Sequence, residues 1–323
     1  MTDPISSQNQ KSGPEFEQQL ANQVANEFLK EQKRNRRWGI FFKFLFAVYL
    51  LGFLLIYLTE SMDMRSGGLS GDKHTALIEI EGVIGAGERA SADNIVSGLR
   101  AAYENENTAG IILRINSPGG SPVQSGYVND EIFRLKNEYP DIPVYAVISD
   151  LCASGGYYIA SAADEIYADK ASLVGSIGVI MAGFGFVEAI DKLGVERRVV
   201  HAGENKAFMD PFVPLKEEDV AHVDAMLDEI YEQFKAVVKK GREDKLSVDD
   251  ETVFSGLLWT GEKAMDIGLV DELGSSSYVA REVIGAEDII NFSYKPNYLD
   301  RFAERLGSSV GNSLLSILKL NLN

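Results

Sequence analysis

Along this chain one long apolar run comes first, and after it short runs with a period of two alternate with longer ones whose apolar positions recur every three or four residues. From Trp38 to Leu58 the residues are almost wholly apolar, interrupted mainly by Lys43. As a helix rising about 1.5 Å per residue, that run spans roughly 30 Å, the thickness of a bilayer core. Lys43 would reach back to the near interface along its aliphatic stem. Before the run, Phe16, Leu20, Val24 and Phe28 recur every four residues. This spacing predicts an amphipathic helix leading into the span, lying on the membrane surface or forming a loose tail.

From Thr75 onward, strand-like and helix-like stretches take turns. Strands are predicted at Thr75–Glu81, Gly110–Ile115, Val144–Ile148, Glu165–Ala168, Val174–Ile180 and Val195–Val200, and helices at Ala92–Tyr103, Val123–Lys136, Tyr157–Ala163 and Val187–Leu193. A long helix follows from Lys216 to about Lys240, with Val220, Val223, Leu227, Ile230, Phe234 and Val237 on one stripe for the core or a subunit contact. Such alternation favours a layered α/β fold. No internal repeat is visible.

Charge adds direction to the picture. Lys30, Lys33, Arg34, Arg36 and Arg37 precede the apolar run, whereas Glu60 and Asp63 follow it with only Arg65 opposing. Positive residues stay on the cytoplasmic side, so the N-terminus is expected there and the rest across the membrane. No small-x-small cleavage pattern follows Leu58, so the run is read as an uncleaved anchor. The net charge of −17 argues against a nucleic-acid partner, which needs a basic patch. Cys152 is the single cysteine, so no internal disulfide forms, and it suits a small buried position. His74, His201 and His222 lack the spacing of a zinc site, and no metal or cofactor is expected. The chain is divided into a tail (1–37), an anchor (38–58), a linker (59–74) with the flexible run Ser66–Gly71, a catalytic domain (75–290) and a C-terminal extension (291–323). That extension carries apolar Leu314, Leu315, Ile317, Leu318 and Leu320, for packing on a neighbour or a membrane surface.

Three glycine-rich turns end strand-like runs: Asn116-Ser117-Pro118-Gly119-Gly120, Cys152-Ala153-Ser154-Gly155-Gly156 and Gly175-Ser176-Ile177-Gly178. Without a Cβ, glycine lets backbone amides approach a ligand. Singly each turn is a weak signal, since a serine before Gly-Gly and a helix commonly caps it. Their order is more specific. Ser-Pro-Gly-Gly, then Ala-Ser-Gly-Gly-Tyr-Tyr, then Gly-Ser-Ile-Gly-Val, then the turn Gly203-Glu204-Asn205-Lys206 resembles signal peptide peptidase A over about residues 75–290. That family is a group of bacterial serine proteases related in fold to the Clp peptidase and the crotonases.

The resemblance implies a crotonase/Clp-peptidase-like layered α/β fold preceded by one transmembrane helix, with Ser154 as nucleophile, Lys206 as general base and Ser176 as the hydroxyl that orients the lysine. It implies a homo-oligomer in the bacterial inner membrane with a periplasmic catalytic domain. The substrates implied are signal-peptide remnants or other apolar peptides. A broader membrane quality-control protease and a non-catalytic crotonase-like scaffold are the alternatives. For such chemistry Lys206 must lower its pKa from about 10.4 towards about 7, a shift of roughly 3 units or about 4 kcal/mol. Glu204 and Asp210 would oppose this, so both are expected to point away. Gly120 and Gly155 are the expected oxyanion-hole amides, one on the Ser-Pro-Gly-Gly turn and one just after the nucleophile.

Overall fold

The chain falls into two units, Met1–Ser70 and Gly71–Asn323, of which the computed structural model describes residues 14–66, 72–242 and 244–294. In the first unit the described residues form one helix, α1, from Pro14 to Ser66. The tail helix and the span read separately from the sequence are one continuous backbone element. Within it Ala25–Leu54 is long and apolar enough to cross a membrane, by length and composition. Residues 67–71 of the expected linker, and the apolar tail with Leu314, Leu315, Ile317, Leu318 and Leu320, lie outside the described residues.

The second unit is built on parallel strands. It opens with β1 (His74–Glu81), α2 (Ala92–Tyr103), β2 (Thr108–Ser117), α3 (Pro122–Glu138) and β3 (Val144–Ala153). Alternation along the strands sorts their side chains. Ile78, Ile80, Ile111, Leu113 and Ile115 join Ile95 and Leu99 of α2 and Val128 and Ile132 of α3 in one buried cluster. The intervening Leu77 and Ile112 turn to a second cluster with Val147, Tyr167, Val279 and Ala280. Both faces of the sheet are therefore covered, as parallel strands require. Each such side chain contributes about 1.5–3 kcal/mol on burial. Caps set the helix starts: Ser91 accepts from the Asn94 amide, and Ser121 accepts from the Gln124 amide ahead of Pro122.

The chain continues through α4 (Gly155–Ala160), β4 (Glu165–Ala168), β5 (Leu173–Gly175), α5 (Val187–Lys192) and α6 (Glu217–Arg242). The last stretch holds α7 (Asp250–Val253), β6 (Leu258–Thr260), α8 (Gly261–Asp266), β7 (Glu272–Leu273), α9 (Ser276–Tyr278), a π-helical turn (Val279–Ile284) and β8 (Ile289–Asn291). The strand order is β6-β5-β3-β2-β1-β8, with β4 and β7 on a branch. The branch arises at β3. Its first half, Tyr145–Ile148, pairs with β4, while Leu151–Ala153 pairs with β5. β6 closes the far edge antiparallel to β5. This fork lifts the end of β3 away from β4 and places it beside β5.

Three expectations need correction. Residues 195–200 are not a strand, and Val199 and Val200 are exposed, because among the described residues no neighbouring strand supplies ladder bonds. β5 stops at Gly175 instead of reaching Ile180, since Gly175 at φ 117° and Ser176 at φ 51° turn the backbone out of the strand. α4 begins at Gly155, two residues before the expected start, directly after the turn at Ser154, and ends at Ala160. Along α6, Val223 and Phe234 of the predicted stripe are buried, whereas Val220 is exposed.

Candidate active site

The two serines leave neighbouring strands at the same end of the sheet. Ala153 of β3 pairs in register with Gly175 of β5. Ser154 and Ser176 each follow, at φ 50° and 51°, in the left-handed region that side chains other than glycine rarely adopt. Cross-strand bonds hold both there: the Ser154 amide donates to the Gly175 carbonyl (2.9 Å) and the Ser176 amide to the Leu257 carbonyl (2.7 Å). A strained serine between a strand and a helix is a common way to expose a hydroxyl at the top of a sheet. Ser154 is half-buried at that point.

The Ser117–Gly120 turn presses on this serine from the other side. The Ser117 hydroxyl donates to the Gly82 carbonyl (2.6 Å) and accepts from the Gly119 amide (3.1 Å). Backbone bonds from Ile84 to Gly119 and from Ser121 to Ile84, both 2.8 Å, pin the turn. Packing here excludes any side chain. A Cβ on Gly119 would lie 2.8 Å from the Ala153 oxygen, the Gly155 nitrogen and the Ser154 Cβ, and one on Gly120 would lie 2.0 Å from the Ile84 oxygen.

Among the described residues, the amides of Gly120 and Gly155 have no acceptor, whereas that of Gly119 is engaged by Ser117. The two free donors are neighbours. The Gly120 nitrogen is 3.2 Å from where a Gly155 Cβ would stand. A developing negative charge beside Ser154 would meet both N–H groups without any rearrangement.

Lys206 lies on the segment between β5 and α6. It is exposed, its amide donates to the Gly203 carbonyl (3.2 Å), and among the described residues no hydrogen bond joins its amine to Ser154 or Ser176. Asp210 accepts from Arg197 (2.8 Å) and from the Phe212 amide (3.1 Å). The Phe212 amide first, and then Arg197 working against burial, hold the Asp210 carboxyl below its usual range. Neither Asp210 nor Glu204 forms an ion pair with Lys206 among the described residues.

Two residues beside the site carry no motif and escaped the sequence reading. Ser125, fully buried on α3, sets its hydroxyl 2.5 Å from where a Gly155 Cβ would be, and among the described residues that hydroxyl has no hydrogen-bond partner. Trp259 of β6 backs Gly175, with Cδ1 3.2 Å from its would-be Cβ. Cys152 is buried, and burial alone pushes its thiol pKa far up, leaving it an inert packing group. His201 is exposed with Nδ1 2.9 Å from the Gly203 oxygen, and His222 lies edge-on to Phe208.

A forked parallel sheet with a strained serine at a strand end, gripped by glycine turns, defines the Clp-protease-like α/β class. The chain belongs to peptidase family S49, whose family model matches residues 137–288. A putative protease of Synechocystis is 35% identical over 205 residues, 63% of this chain and 70% of that protein. A putative signal peptide peptidase SppA of Enterococcus faecium is 33% identical over 189 residues, 58% of this chain and 54% of that protein. A Brucella abortus protein named as a Na(+)/H(+) antiporter, NhaA, is 46% identical over 187 residues, 58% of this chain. The chain spans only 25% of that protein's length, and the name describes the larger protein.

Proposed function

We propose that this protein is a membrane-anchored serine endopeptidase in which Ser154 attacks the peptide carbonyl and Lys206 removes its proton. The observation that carries the reading is the pair of unengaged amides, Gly120 and Gly155, beside a strained Ser154. In this mechanism they receive the oxyanion, each contributing about 3–4 kcal/mol to the transition state. Attack gives an acyl-enzyme on Ser154; the proton taken by Lys206 passes to the leaving amine, and water then releases the acyl group. Ser176, one strand over, is assigned to orient the lysine.

Lys206 is exposed in the single chain, and a base that works beside Ser154 must be closed off from bulk water. The segment that carries Lys206 asks for such a cover: Ile180, Phe184, Leu193, Val200 and Leu215 are all exposed. We assign that cover to a second copy of the chain, making the working form a homo-oligomer. The apolar stretch in α1 anchors it in the bacterial inner membrane, N-terminus in the cytoplasm and catalytic domain in the periplasm. Anchoring raises the local concentration of the site over membrane-held peptides, which favours signal-peptide remnants as substrates.

Labelling with a serine-directed phosphonylating probe tests the dyad. Wild type is expected to label, and Ser154→Ala and Lys206→Ala to lose nearly all signal. Undiminished labelling of both variants would refute it.

A further inference from the structure

The N-terminal part of α1 carries a feature that the peptidase reading does not use. Lys30, Lys33, Arg34, Arg37, Trp38 and Phe41 together line one concave patch. Their spacing of three and four places them along one side of the helix, because successive residues turn by about 100°. Arg36, of equal charge, turns away from that side by the same rule. Glu31 pairs with Arg34 (3.3 Å), whereas Lys30, Lys33 and Arg37 have no acidic partner among the described residues.

The apolar end of the patch is an aromatic knot: the Trp38 ring centroid lies 5.8 Å from that of Phe41 and 5.7 Å from that of Phe42. Aromatic groups of this kind settle at the boundary between headgroups and acyl chains. Lys33, Arg34 and Arg37 then lie within about 8 Å of Trp38 along the helix axis, the depth of one headgroup layer. We infer that this face of α1 binds an anionic phospholipid, its phosphate among Lys33, Arg34 and Arg37 and its acyl chains along Trp38 and Phe41. Charge complementarity selects the headgroup, and the aromatic end selects a lipid over a soluble anion. The inference rests on the membrane-anchored reading above.

The test uses the full chain reconstituted into phosphatidylcholine vesicles doped with either brominated phosphatidylglycerol or brominated phosphatidylcholine at equal fraction. Bromine quenches tryptophan at contact, and Trp259→Phe leaves Trp38 as the sole reporter. Quenching is expected to favour phosphatidylglycerol about threefold, from the attraction of a few cations to one anionic headgroup. Arg37→Gln should abolish most of that preference, and Arg36→Gln should leave it. If Trp259→Phe does not fold, the difference between wild type and Trp38→Phe reads the same quantity. Equal quenching by the two lipids, or equal loss in both arginine variants, overturns the site while leaving the anchor intact. Failure of the chain to enter either vesicle overturns both.

Discussion

Ser154 owes its backbone conformation to its neighbours. Its amide is bound to Gly175 across the strand pair, and Gly119 leaves no room on the other side. Gly155 is held to glycine for a different reason, since its backbone tolerates a side chain but its surroundings do not: a Cβ would meet Ser125 Oγ at 2.5 Å and the Gly120 nitrogen at 3.2 Å. Gly155→Ala should therefore displace the Gly120 donor and slow acylation about 100-fold, the usual effect of losing one oxyanion donor. Overpacking should also lower stability by about 1–2 kcal/mol. Adding Ser125→Gly removes the closer contact, so thermal melts should recover more than acylation does. Equal recovery of both would mean that Gly120 is not displaced. The Ser-Gly-Gly motif was visible in the sequence; the role of Ser125 was not, because thirty residues separate it from Gly155 and only packing joins them.

Between elements, ion pairs built on Asp271 and Glu131 tie helices to a strand and to one another, and these acids set the response to pH. Asp271 accepts from Arg242 at the end of α6 (2.6 Å) and from the Ile166 amide of β4 (2.7 Å). Burial works to raise its carboxyl pKa, but the hydrogen bond and charge of Arg242, with Lys245, outweigh it and leave the carboxyl below its usual value. Glu131 joins α3 to α2; it is held down to about 2, chiefly by the Arg134 hydrogen bond and then, against burial, by Arg100. Both folded-state values are depressed. Their contributions are thus fully present above the unfolded values near 4 and are lost as pH falls through the folded ones. Thermal melts should show stability dropping between about pH 4.5 and 2, with Asp271→Asn and Glu131→Gln each flattening that drop. At pH 7, Asp271→Asn should cost about 3–5 kcal/mol, because it leaves the fully buried Arg242 without its counter-charge. Element boundaries were legible where periodicity was strong: α2 and β4 fall where the pattern put them. The expected strand at 195–200 failed because β-branched residues favour extension but cannot supply a partner strand.

At the scale of the whole molecule, the segment between β5 and α6 carries large apolar residues that the single chain leaves exposed. Val200 is 100% exposed and Phe184 83% exposed. If copies cover this segment, Phe184→Asp or Val200→Asp should dissociate the assembly in size-exclusion light scattering and remove probe labelling together. The fold of the single chain should be unaffected, with melting shifts equivalent to less than about 0.5 kcal/mol, as for ordinary surface positions. Assembly that persists with labelling intact would assign the cover elsewhere.

Periodicity and composition by themselves determined the apolar span, the layered α/β class and the order of the three glycine turns. Those features are written in local spacing, and local spacing survives without knowledge of what packs where. The tertiary structure decided which turns meet. It forked the sheet at β3, put Ser154 and Ser176 just past the ends of adjacent strands and, among the described residues, left the Gly120 and Gly155 amides unengaged while Ser117 took that of Gly119. It also left Lys206 exposed, on a segment where Ile180, Phe184, Leu193 and Val200 are exposed too. Such distinctions depend on contacts between residues far apart in the chain, and no pattern along the sequence encodes which of two adjacent glycine amides finds an acceptor.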